Sequence, residues 1–488
     1  MGFVLDAGNT AWILTSATLV LMMTVPALAF FYGGLVRTKS VLNMMMLSFG
    51  VAGVIGVVWV LWGYSMSFGS DVAGLFGNPF ELFGLTGLTI DGPSNALAGS
   101  GVPAWVWVGF QATFAVITVA LISGALADRV RFGPWLVFVG VWGTLVYFPM
   151  CHMVWGGGML GADGWVARLF ATPLDFAGGT VVHINAGMAG LVLALVIGRR
   201  QGFGKVPMRP HNVPFVMLGA ALLWIGWFGF NAGSAGAAND QAGLAWVNTF
   251  VATAAAAMAW AAAERVKDGK PTSVGVASGV VAGLVAITPA AGFVSPLGSI
   301  AIGAVAGVLC ALAVGLKYRL GYDDSLDVVG VHLVGGLVGT VMLGLVATES
   351  NLWDGARAGL FYGGGLAQLG AQTAAALFAV AYSGALTAVI GLAIKGTMGW
   401  RIADADEVSS IDLAEHGETA YESITSGRLA MAGAGPVISG PMPSAPLPAS
   451  PAPSAAAAGA AGSSVEEPMP PGGEAMMAGP HSTPEMKG

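Results

Sequence analysis

Two stretches of sequence decide the fold: Asp175-Phe-Ala-Gly-Gly-Thr-Val-Val-His183 and Asp324-Ser-Leu-Asp-Val-Val-Gly-Val-His332. Each has a histidine eight residues after an aspartate, inside a run apolar enough to be a membrane helix. A histidine in hydrocarbon is costly and normally faces a cavity or the protein interior. The matched frames predict one motif carried by two halves of a duplicated fold, which can build a site near the bilayer midplane. Glycines follow the two histidines at matching distances: Gly187 and Gly190, Gly336 and Gly339.

The composition is typical of a membrane protein. The 488 residues are 55% hydrophobic and only 9% charged, whereas a soluble domain carries about 25% charged residues. The 75 glycines are consistent with closely packed membrane helices. Cys151 and Cys310 lie in apolar stretches and are interpreted as small buried side chains, not as a disulfide or a metal site. We therefore expect an all-α, polytopic membrane protein.

Charge-free windows locate the membrane helices, because one span needs about 20 mostly apolar residues. The window 271–316 is too long for one span, and Pro289, Gly292 and Pro296 divide it in two. Eleven transmembrane helices are therefore predicted from ten windows: 11–36, 41–70, 92–127, 132–162, 176–198, 210–239, 241–263, 271–316, 328–348 and 358–394.

The basic residues orient these helices, because Lys and Arg concentrate in cytoplasmic loops. If the N-terminus lies outside, all 19 Lys and Arg residues except Arg168 and Arg357 fall on the cytoplasmic side. This asymmetry predicts an N-out, C-in topology, which agrees with an odd number of helices. A cleaved signal peptide at 27–29 is the disfavoured alternative, because Asp6 precedes the apolar run and Arg37 follows it.

The two histidine frames also predict an internal repeat, and the composition divides the chain into three regions. They bring the fifth predicted helix into register with the tenth, so helices 1–5 and 6–10 form an inverted five-helix repeat, since five is odd. A long eleventh helix is left over. We expect a transmembrane domain over 1–395, a polar and acidic cytoplasmic tail over 396–427, and a disordered Ala/Pro/Gly/Ser-rich segment over 428–488.

Several motifs closely resemble the ammonium transporter (Amt/Mep/Rh) family, in particular its bacterial and archaeal Amt-type members. They are the Asp175 motif quoted above, Gly226-Trp-Phe-Gly-Phe-Asn-Ala-Gly-Ser234-Ala-Gly, His152-Met-Val-Trp155-Gly-Gly-Gly, Phe31-Tyr-Gly-Gly-Leu-Val-Arg-Thr-Lys-Ser and Asp327-Val-Val-Gly-Val-His332. The resemblance covers about residues 10–425. It implies a homotrimer of eleven-helix subunits, each with its own pore.

The resemblance implies that Trp155, Phe114 and Ser234 form an outer site that recruits the ammonium ion. An aromatic face attracts a cation, and a hydroxyl accepts a hydrogen bond. Both offset part of the cost of removing the ion from water. Asp175 is expected to act indirectly, supporting this site from behind as a cap on the first turn of its helix. The alternatives are an interfacial anchor for Trp155 and a packing role for Ser234.

Two further pairs are expected below this site. By resemblance, Phe114 and Phe230 are stacked rings that gate the pore, and ordinary core packing is the alternative. His183 and His332 are expected to line a dry pore and relay a proton, because two neutral imidazoles can share one N–H donor and a second proton is disfavoured. The alternative is a pair of satisfied core histidines. A metal site is disfavoured, because two histidines without a third ligand bind zinc poorly.

The leading hypothesis is an ammonium transporter, not an enzyme, that recruits NH4+, deprotonates it and conducts NH3 with a relayed proton. The implied partners are ammonium, methylammonium as a second substrate and the lipid bilayer of the inner or plasma membrane, with no cofactor and no nucleic acid. The segment Asp412-Leu-Ala-Glu-His416-Gly-Glu-Thr-Ala-Tyr421 resembles the family's regulatory tail, which implies docking of a PII-type signal protein. One rival is an ammonium sensor that signals through this tail. The other, an intramembrane hydrolase, lacks a Gly-x-Ser-x-Gly setting near either histidine.

Overall fold

The computed structural model describes residues 3–89 and 97–421. All of them belong to one compact unit, Met1–Ser423, and a second unit comprises Ile424–Gly488. The predicted disordered segment 428–488 lies outside the described residues, and the predicted tail is described as far as residue 421. The described ranges include the predicted transmembrane domain except for residues 1–2 and 90–96.

Apolar helices make up most of the first unit, and we label them α1 to α11. Within the described ranges, ten of them are long and apolar enough to cross a bilayer. The other one, α8, is apolar but has 15 residues. Their bounds are α1 Ala7–Leu35, α2 Thr38–Phe68, α3 Ala104–Leu126, α4 Phe132–Trp155, α5 Gly179–Ile197, α6 Val213–Gly233, α7 Asp240–Asp268, α8 Ser273–Ile287, α9 Pro296–Leu320, α10 Val329–Val346 and α11 Ala367–Thr397.

Glycines make some helices end earlier or begin later than the predicted windows. α4 ends at Trp155 and not at 162, because Gly157 follows it with a φ of 90°. α11 begins at Ala367 and not at 358, because Gly363 and Gly365 have φ values of 84° and 70°. A positive φ is readily adopted by glycine but interrupts a right-handed helix. Charge-free windows therefore overestimate helix length where glycines follow one another.

The long window 271–316 is divided between α8 and α9, as the sequence predicts. α8 ends at Ile287, and α9 begins at Pro296. Pro296 occupies the first turn, where its missing N–H costs nothing. The side chain of Ser295 accepts a hydrogen bond from the N–H of Gly298 and caps α9.

A short hairpin between α2 and α3 interrupts the otherwise helical chain. β1 (Asp71–Val72) pairs antiparallel with β2 (Phe76–Gly77), and Gly74 at the tip has a φ of 75°. The described part of the chain is all-helical apart from this hairpin, in agreement with the predicted fold class. Single helical turns lie in the loops at Phe83–Leu85, Ala98–Ser100, Trp165–Leu169 and Leu360–Tyr362.

α5 and α10 approach closely at the glycines that follow their histidines. A Cβ atom added to Gly187 would lie 2.4 Å from the backbone nitrogen of Leu333. One added to Gly336 would lie 3.1 Å from the backbone nitrogen of Ile184. Each helix therefore presents a glycine to the residue that directly follows the other helix's histidine. Small residues allow this approach between membrane helices, which explains the matched glycine spacing.

The tail packs against one end of the helices through two short elements, α12 (Asp404–Val408) and α13 (Ile411–His416). Asp412 accepts a hydrogen bond from the N–H of Asn43 in α2 at 2.8 Å. Glu415 accepts one from the N–H of Phe132, the first residue of α4, at 2.8 Å. We call this end the tail face, and the opposite end, where α4 finishes at Trp155, the Trp155 face.

Candidate functional site

Each site histidine lies in a π-helical turn. His183 belongs to the turn Gly179–Ile184 at the start of α5, and His332 to the turn Val329–Leu333 at the start of α10. π-Helical turns also interrupt α1, α2 and α4. Such turns often occur at functional sites. The repeated sequence frame therefore corresponds to the same local backbone in both helices.

An aspartate caps each of these two turns. Asp175 accepts hydrogen bonds from the N–H groups of Gly179 (2.5 Å) and Thr180 (2.8 Å). Asp324 accepts in the same way from the N–H of Val329 at 2.8 Å. Burial raises the pKa of both carboxyl groups, and the backbone hydrogen bonds oppose that shift. Asp175 is 2% exposed, so it acts on the backbone that carries His183 and does not face solvent.

The two histidines meet in the protein interior. Nδ1 of His183 lies 3.3 Å from Nδ1 of His332, and the ring centroids are 5.4 Å apart. A hydrogen bond between two ring nitrogens requires one to donate and the other to accept. Nε2 of His183 is buried and has no hydrogen-bond partner among the described residues. An unpaired buried nitrogen is costly, so this pair offers a polar atom to a small guest in apolar surroundings.

Stacked phenyl rings lie between this pair and the Trp155 face. The rings of Phe114 and Phe230 are 4.1 Å apart at an interplanar angle of 17°, and both are about 1% exposed. The ring of Phe230 is 6.3 Å from that of His183. The ring of Trp155 is 6.1 Å from that of Phe114, nearly perpendicular to it. The aromatic and imidazole rings predicted from the sequence thus lie in one row, which we call the ring file.

A cavity of about 320 Å³ opens beside Trp155 and Ser234. The Trp155 indole N–H donates to the carbonyl oxygen of Asp175 at 2.9 Å, which fixes the ring at the cavity wall. The Ser234 hydroxyl donates to the carbonyl oxygen of Phe230 at 2.8 Å. Because its proton is already committed, this hydroxyl presents lone pairs to a guest and acts as an acceptor.

Several residues that line this cavity were not predicted from the sequence. Trp107 and Gln111 line it, and Trp107 Nε1 and Gln111 Oε1 are buried without hydrogen-bond partners in the described structure. Both lie on α3, seven and three residues before Phe114, at spacings that share one helix face. That spacing was a usable signal. Phe176 and Trp353 also line the cavity, but Trp353 comes from a distant loop that no local pattern connects to it.

The metal alternative gains no support from the described residues. They contain no group of three or more His, Cys, Asp or Glu side chains able to hold a metal ion. The pair of His183 and His332 offers two nitrogens only, and a zinc site needs three or four protein ligands. The pair is therefore better suited to hydrogen bonding with a small polar guest.

Comparisons with known proteins identify the family. The model of the Ammonium Transporter Family matches residues 11–421. An ammonium transporter of Mycobacterium tuberculosis is 54% identical, over 86% of this chain and 92% of that protein. The crystal structure of Candida albicans Mep2 is similar with a TM-score of 0.74 and 34% identity, over 86% of this chain and 91% of that one. A solved structure titled "Sensor Amt Protein" is similar with a TM-score of 0.75 and 27% identity, over 84% of this chain and 98% of that one.

These matches extend over most of the chain and agree with its architecture. Ten of the described helices are long and apolar enough to cross a membrane, so the chain is a multi-pass membrane protein. The family match begins within α1 and ends beyond α13, which includes every residue of the ring file and of the cavity. The chain belongs to the ammonium transporter family.

Proposed function

We propose that this chain moves ammonium into the cell along the path from the cavity beside Trp155, past Phe114 and Phe230, to His183 and His332. The observation that carries this proposal is the continuous file of rings, each within 6.3 Å of the next. The file joins a solvent-accessible cavity to a buried polar pair and offers only apolar faces between them.

Recruitment begins at the cavity, which we assign to the outside. A cation entering it leaves water at a high cost. The indole of Trp155 and the ring of Phe114 offer cation–π attraction, and the Ser234 hydroxyl offers lone pairs. Asp175 contributes indirectly, because its own main-chain carbonyl oxygen fixes the Trp155 indole while its carboxylate caps the turn that carries His183. The site therefore favours a small cation that can donate hydrogen bonds, such as ammonium or methylammonium.

Passage beyond Phe114 and Phe230 requires loss of a proton. No hydrogen-bond partner accompanies the guest between the stacked rings, and an isolated cation in a medium of low dielectric constant is strongly disfavoured. NH4+ therefore gives up a proton to water in the cavity before it passes, and NH3 crosses the apolar segment. In this proposal the two phenyl rings exclude larger or permanently charged ions.

His183 and His332 receive ammonia and relay the proton. Their shared Nδ1 hydrogen bond leaves one ring able to accept and the other able to donate at its outer edge. A proton that arrives at one ring can shift across the 3.3 Å contact and leave from the other. Transport then carries net charge although the molecule in the pore is neutral. No metal or other cofactor enters this scheme.

The topology and assembly complete the proposal. α8 counts as a span, so the chain crosses the membrane eleven times with its N-terminus outside and its C-terminus inside. α1–α5 and α6–α10 form an inverted repeat, which the matched caps of Asp175 and Asp324 support. Three chains form a homotrimer in the inner or plasma membrane, and the tail from residue 396 docks a PII-type signal protein on the cytoplasmic face.

Replacing both histidines by leucine tests the relay. His183→Leu combined with His332→Leu removes the nitrogens and keeps the region apolar. In proteoliposomes with an inward ammonium gradient, we expect the current to fall by about a hundredfold, the usual contribution of a positioned proton acceptor. Cys310→Ala, another buried change next to α10, is the matched control and should leave the current unchanged. An undiminished current in the double variant would mean that the histidines are packing residues.

A sensor is the second candidate function, because a solved relative of 27% identity is titled "Sensor Amt Protein". In that case the chain would bind ammonium and report it through the tail without appreciable flux. The same liposomes separate the two functions. Saturable ammonium current from the purified wild-type chain supports transport, whereas ammonium binding without current supports sensing.

A further inference from the structure

A buried histidine outside the ring file faces two oxygen atoms. His152 lies in the last turns of α4 and is 0% exposed. Its Nδ1 is 3.1 Å from the carbonyl oxygen of Ser67, and its Nε2 is 2.9 Å from a carboxylate oxygen of Asp71 in β1. Trp155 lies one helical turn further along α4. His152 belongs to the motif His152-Met-Val-Trp155-Gly-Gly-Gly, but the proposed transport path does not use it.

The two oxygen partners require an extra proton. A carbonyl oxygen and a carboxylate can only accept hydrogen bonds, and neutral imidazole carries one N–H. Whichever nitrogen bears that proton, the other would turn its lone pair toward Ser67 or Asp71. The geometry is satisfied when His152 is an imidazolium and Asp71 a carboxylate. The hydrogen bond from His152 lowers the pKa of Asp71.

The pair also joins the hairpin to the glycine turn after Trp155. A Cβ added to Gly156 would lie 2.2 Å from the carbonyl oxygen of Ser67 and 2.6 Å from His152 Nδ1. A Cβ added to Gly158 would lie 2.7 Å from the carbonyl oxygen of Gly74 at the hairpin tip. The same Gly74 oxygen accepts the N–H of Met159 at 2.8 Å. The glycine run is therefore the surface against which the hairpin and the His152 ring pack.

We infer that the ion pair of His152 and Asp71 is a positioning device for Trp155, which holds the end of α4 at the angle that ammonium recruitment needs. This inference rests on the proposed function of the cavity. His152 and Asp71 are positioning residues, because neither is among the residues that line the cavity. If His152 lost the extra proton, a nitrogen lone pair would face the Asp71 carboxylate and the hairpin would loosen. Recruitment then weakens while passage through the ring file is unchanged.

The other titratable groups around the pair do not replace this proton. From the loop after the hairpin, Glu81 accepts a hydrogen bond from the N–H of Ser70 at 2.6 Å and is directed at the backbone. Cys151 and Tyr147 on α4, and Tyr64 on α2, are fully buried, and a buried thiol or phenol remains uncharged. Asp71 is therefore the charged partner of His152 in the described structure.

Two substitutions of Asp71 distinguish a proton-dependent pair from simple packing. In Asp71→Asn, the side-chain amide can donate to the bare Nε2 of a neutral His152 or accept from the imidazolium. This variant keeps the contact without the extra proton. Asp71→Leu removes the contact at every pH. Asp163→Leu, a change at an exposed acid in the loop after the glycine turn, is the matched control.

The measurement is ammonium-driven current in proteoliposomes from about pH 6 to about pH 8.5, because an imidazolium loses its proton as the pH rises. Apparent KM is expressed as NH4+ concentration at each pH. We expect Asp71→Leu to raise apparent KM about fivefold to tenfold with an unchanged maximal current. The KM of the wild type should rise toward that value with increasing pH, and Asp71→Asn should keep a low KM throughout.

Other outcomes overturn the inference in recognisable ways. An unchanged KM in Asp71→Leu, with Trp155→Leu impaired, removes the positioning role but leaves the recruitment cavity intact. A loss of maximal current and of melting temperature in Asp71→Leu without a change in KM means that the pair only stabilises the fold. A wild type and an Asp71→Asn variant with the same pH profile exclude the extra proton. Unimpaired recruitment in Trp155→Leu would instead contradict the proposed function.

Discussion

At the scale of residues, the contributions of Trp155 and Ser234 to ammonium recruitment are the easiest to measure separately. Trp155→Leu removes the aromatic face, and Ser234→Ala removes the hydroxyl acceptor. Trp155→Leu also loses the hydrogen bond to the carbonyl oxygen of Asp175, and Ser234→Ala loses only a hydrogen bond within its own helix. A cation–π contact partly out of water contributes about 2 kcal/mol at most, or up to about thirtyfold in affinity. We expect each variant to raise the ammonium concentration for half-maximal current and to discriminate less against larger ions.

The control for this prediction is Trp165→Leu. Trp165 lies on a short helix in the loop after α4, is 38% exposed and does not line the cavity. Current measured against ammonium concentration, for all three variants in the same liposomes, makes the comparison. The assignment of the cavity as the recruitment site is wrong if Trp155→Leu and Ser234→Ala both match Trp165→Leu.

The residues differ in how far sequence alone reveals them. The frames of His183 and His332 repeat, so their pairing follows from the repeat, and the structure brings them within hydrogen-bonding distance. Trp107 and Gln111 share a helix face with Phe114 and could have been found from spacing. The contact between His152 and Asp71 could not, because its partners lie 81 residues apart in different elements. A pairing of this kind depends on tertiary packing and not on any local pattern.

At the scale of elements, the predicted cap at Asp175 corresponds to an observed cap, whereas the π-helical turns that follow the two aspartates were not predicted. The reason is physical. A helix that is apolar on every side has no alternation of polar and apolar faces, so its sequence does not show where the number of residues per turn changes. The insertion of one extra residue per turn around His183 and His332 therefore leaves no trace in the hydrophobic pattern, although it determines where the rings point.

The tail provides a second set of caps, which can be tested. Ser40, which precedes the α-helical part of α2 that starts at Val41, and Arg131 before α4 provide no side-chain cap. Asp412 and Glu415 from α13 accept the hydrogen bonds of the N–H groups there. Asp412→Asn and Glu415→Gln remove the anionic acceptors, at a cost of about 1 kcal/mol each. We expect faster amide hydrogen exchange in α13 and in the first turns of α2 and α4. Asp404→Asn, a change at an exposed acid of α12, should leave exchange unaltered.

The outcome of that experiment also separates capping from simple burial. α13 holds Ile411, which is 0% exposed, and a helix held mainly by such apolar contacts would not respond to loss of the acids. Unchanged exchange in residues 411–416 of the double variant Asp412→Asn with Glu415→Gln would therefore assign the docking of α13 to apolar packing. The tail could then not transmit a change through the ends of α2 and α4.

At the scale of the whole molecule, each of the ten long helices overlaps one of the charge-free windows. The remaining apolar helix, α8, is shorter than a usual span. Its 15 residues extend about 22 Å, which is less than the roughly 30 Å of a hydrocarbon core. If α8 did not span, the count would be even and both termini would lie on one side. The loop charges argue against this, because only Arg168 and Arg357 oppose the N-out, C-in arrangement.

Two truncations test whether the tail is a separate regulatory part of the molecule. Deleting 430–488 removes a low-complexity segment that is predicted to be disordered, so we expect transport, trimer assembly and PII-protein binding to be unchanged. Deleting 397–488 also removes the caps on α2 and α4. In addition, it removes the hydrogen bond that Arg401 donates to the carbonyl oxygen of Arg199 (2.7 Å) and the one that Glu407 accepts from the N–H of Gln201 (2.6 Å).

The longer deletion removes contacts to the loop after α5, the helix that carries His183. We therefore expect this deletion to alter transport as well as to abolish PII-protein binding. Ammonium current and PII-protein binding, measured on the full-length chain and on both truncations, make the test. The shorter truncation is the matched control for loss of chain length and of unrelated sequence. Equal current and equal binding in the full-length chain and the 397–488 deletion would remove any role for the tail. A change in binding alone would confine the tail to docking and separate it from the pore.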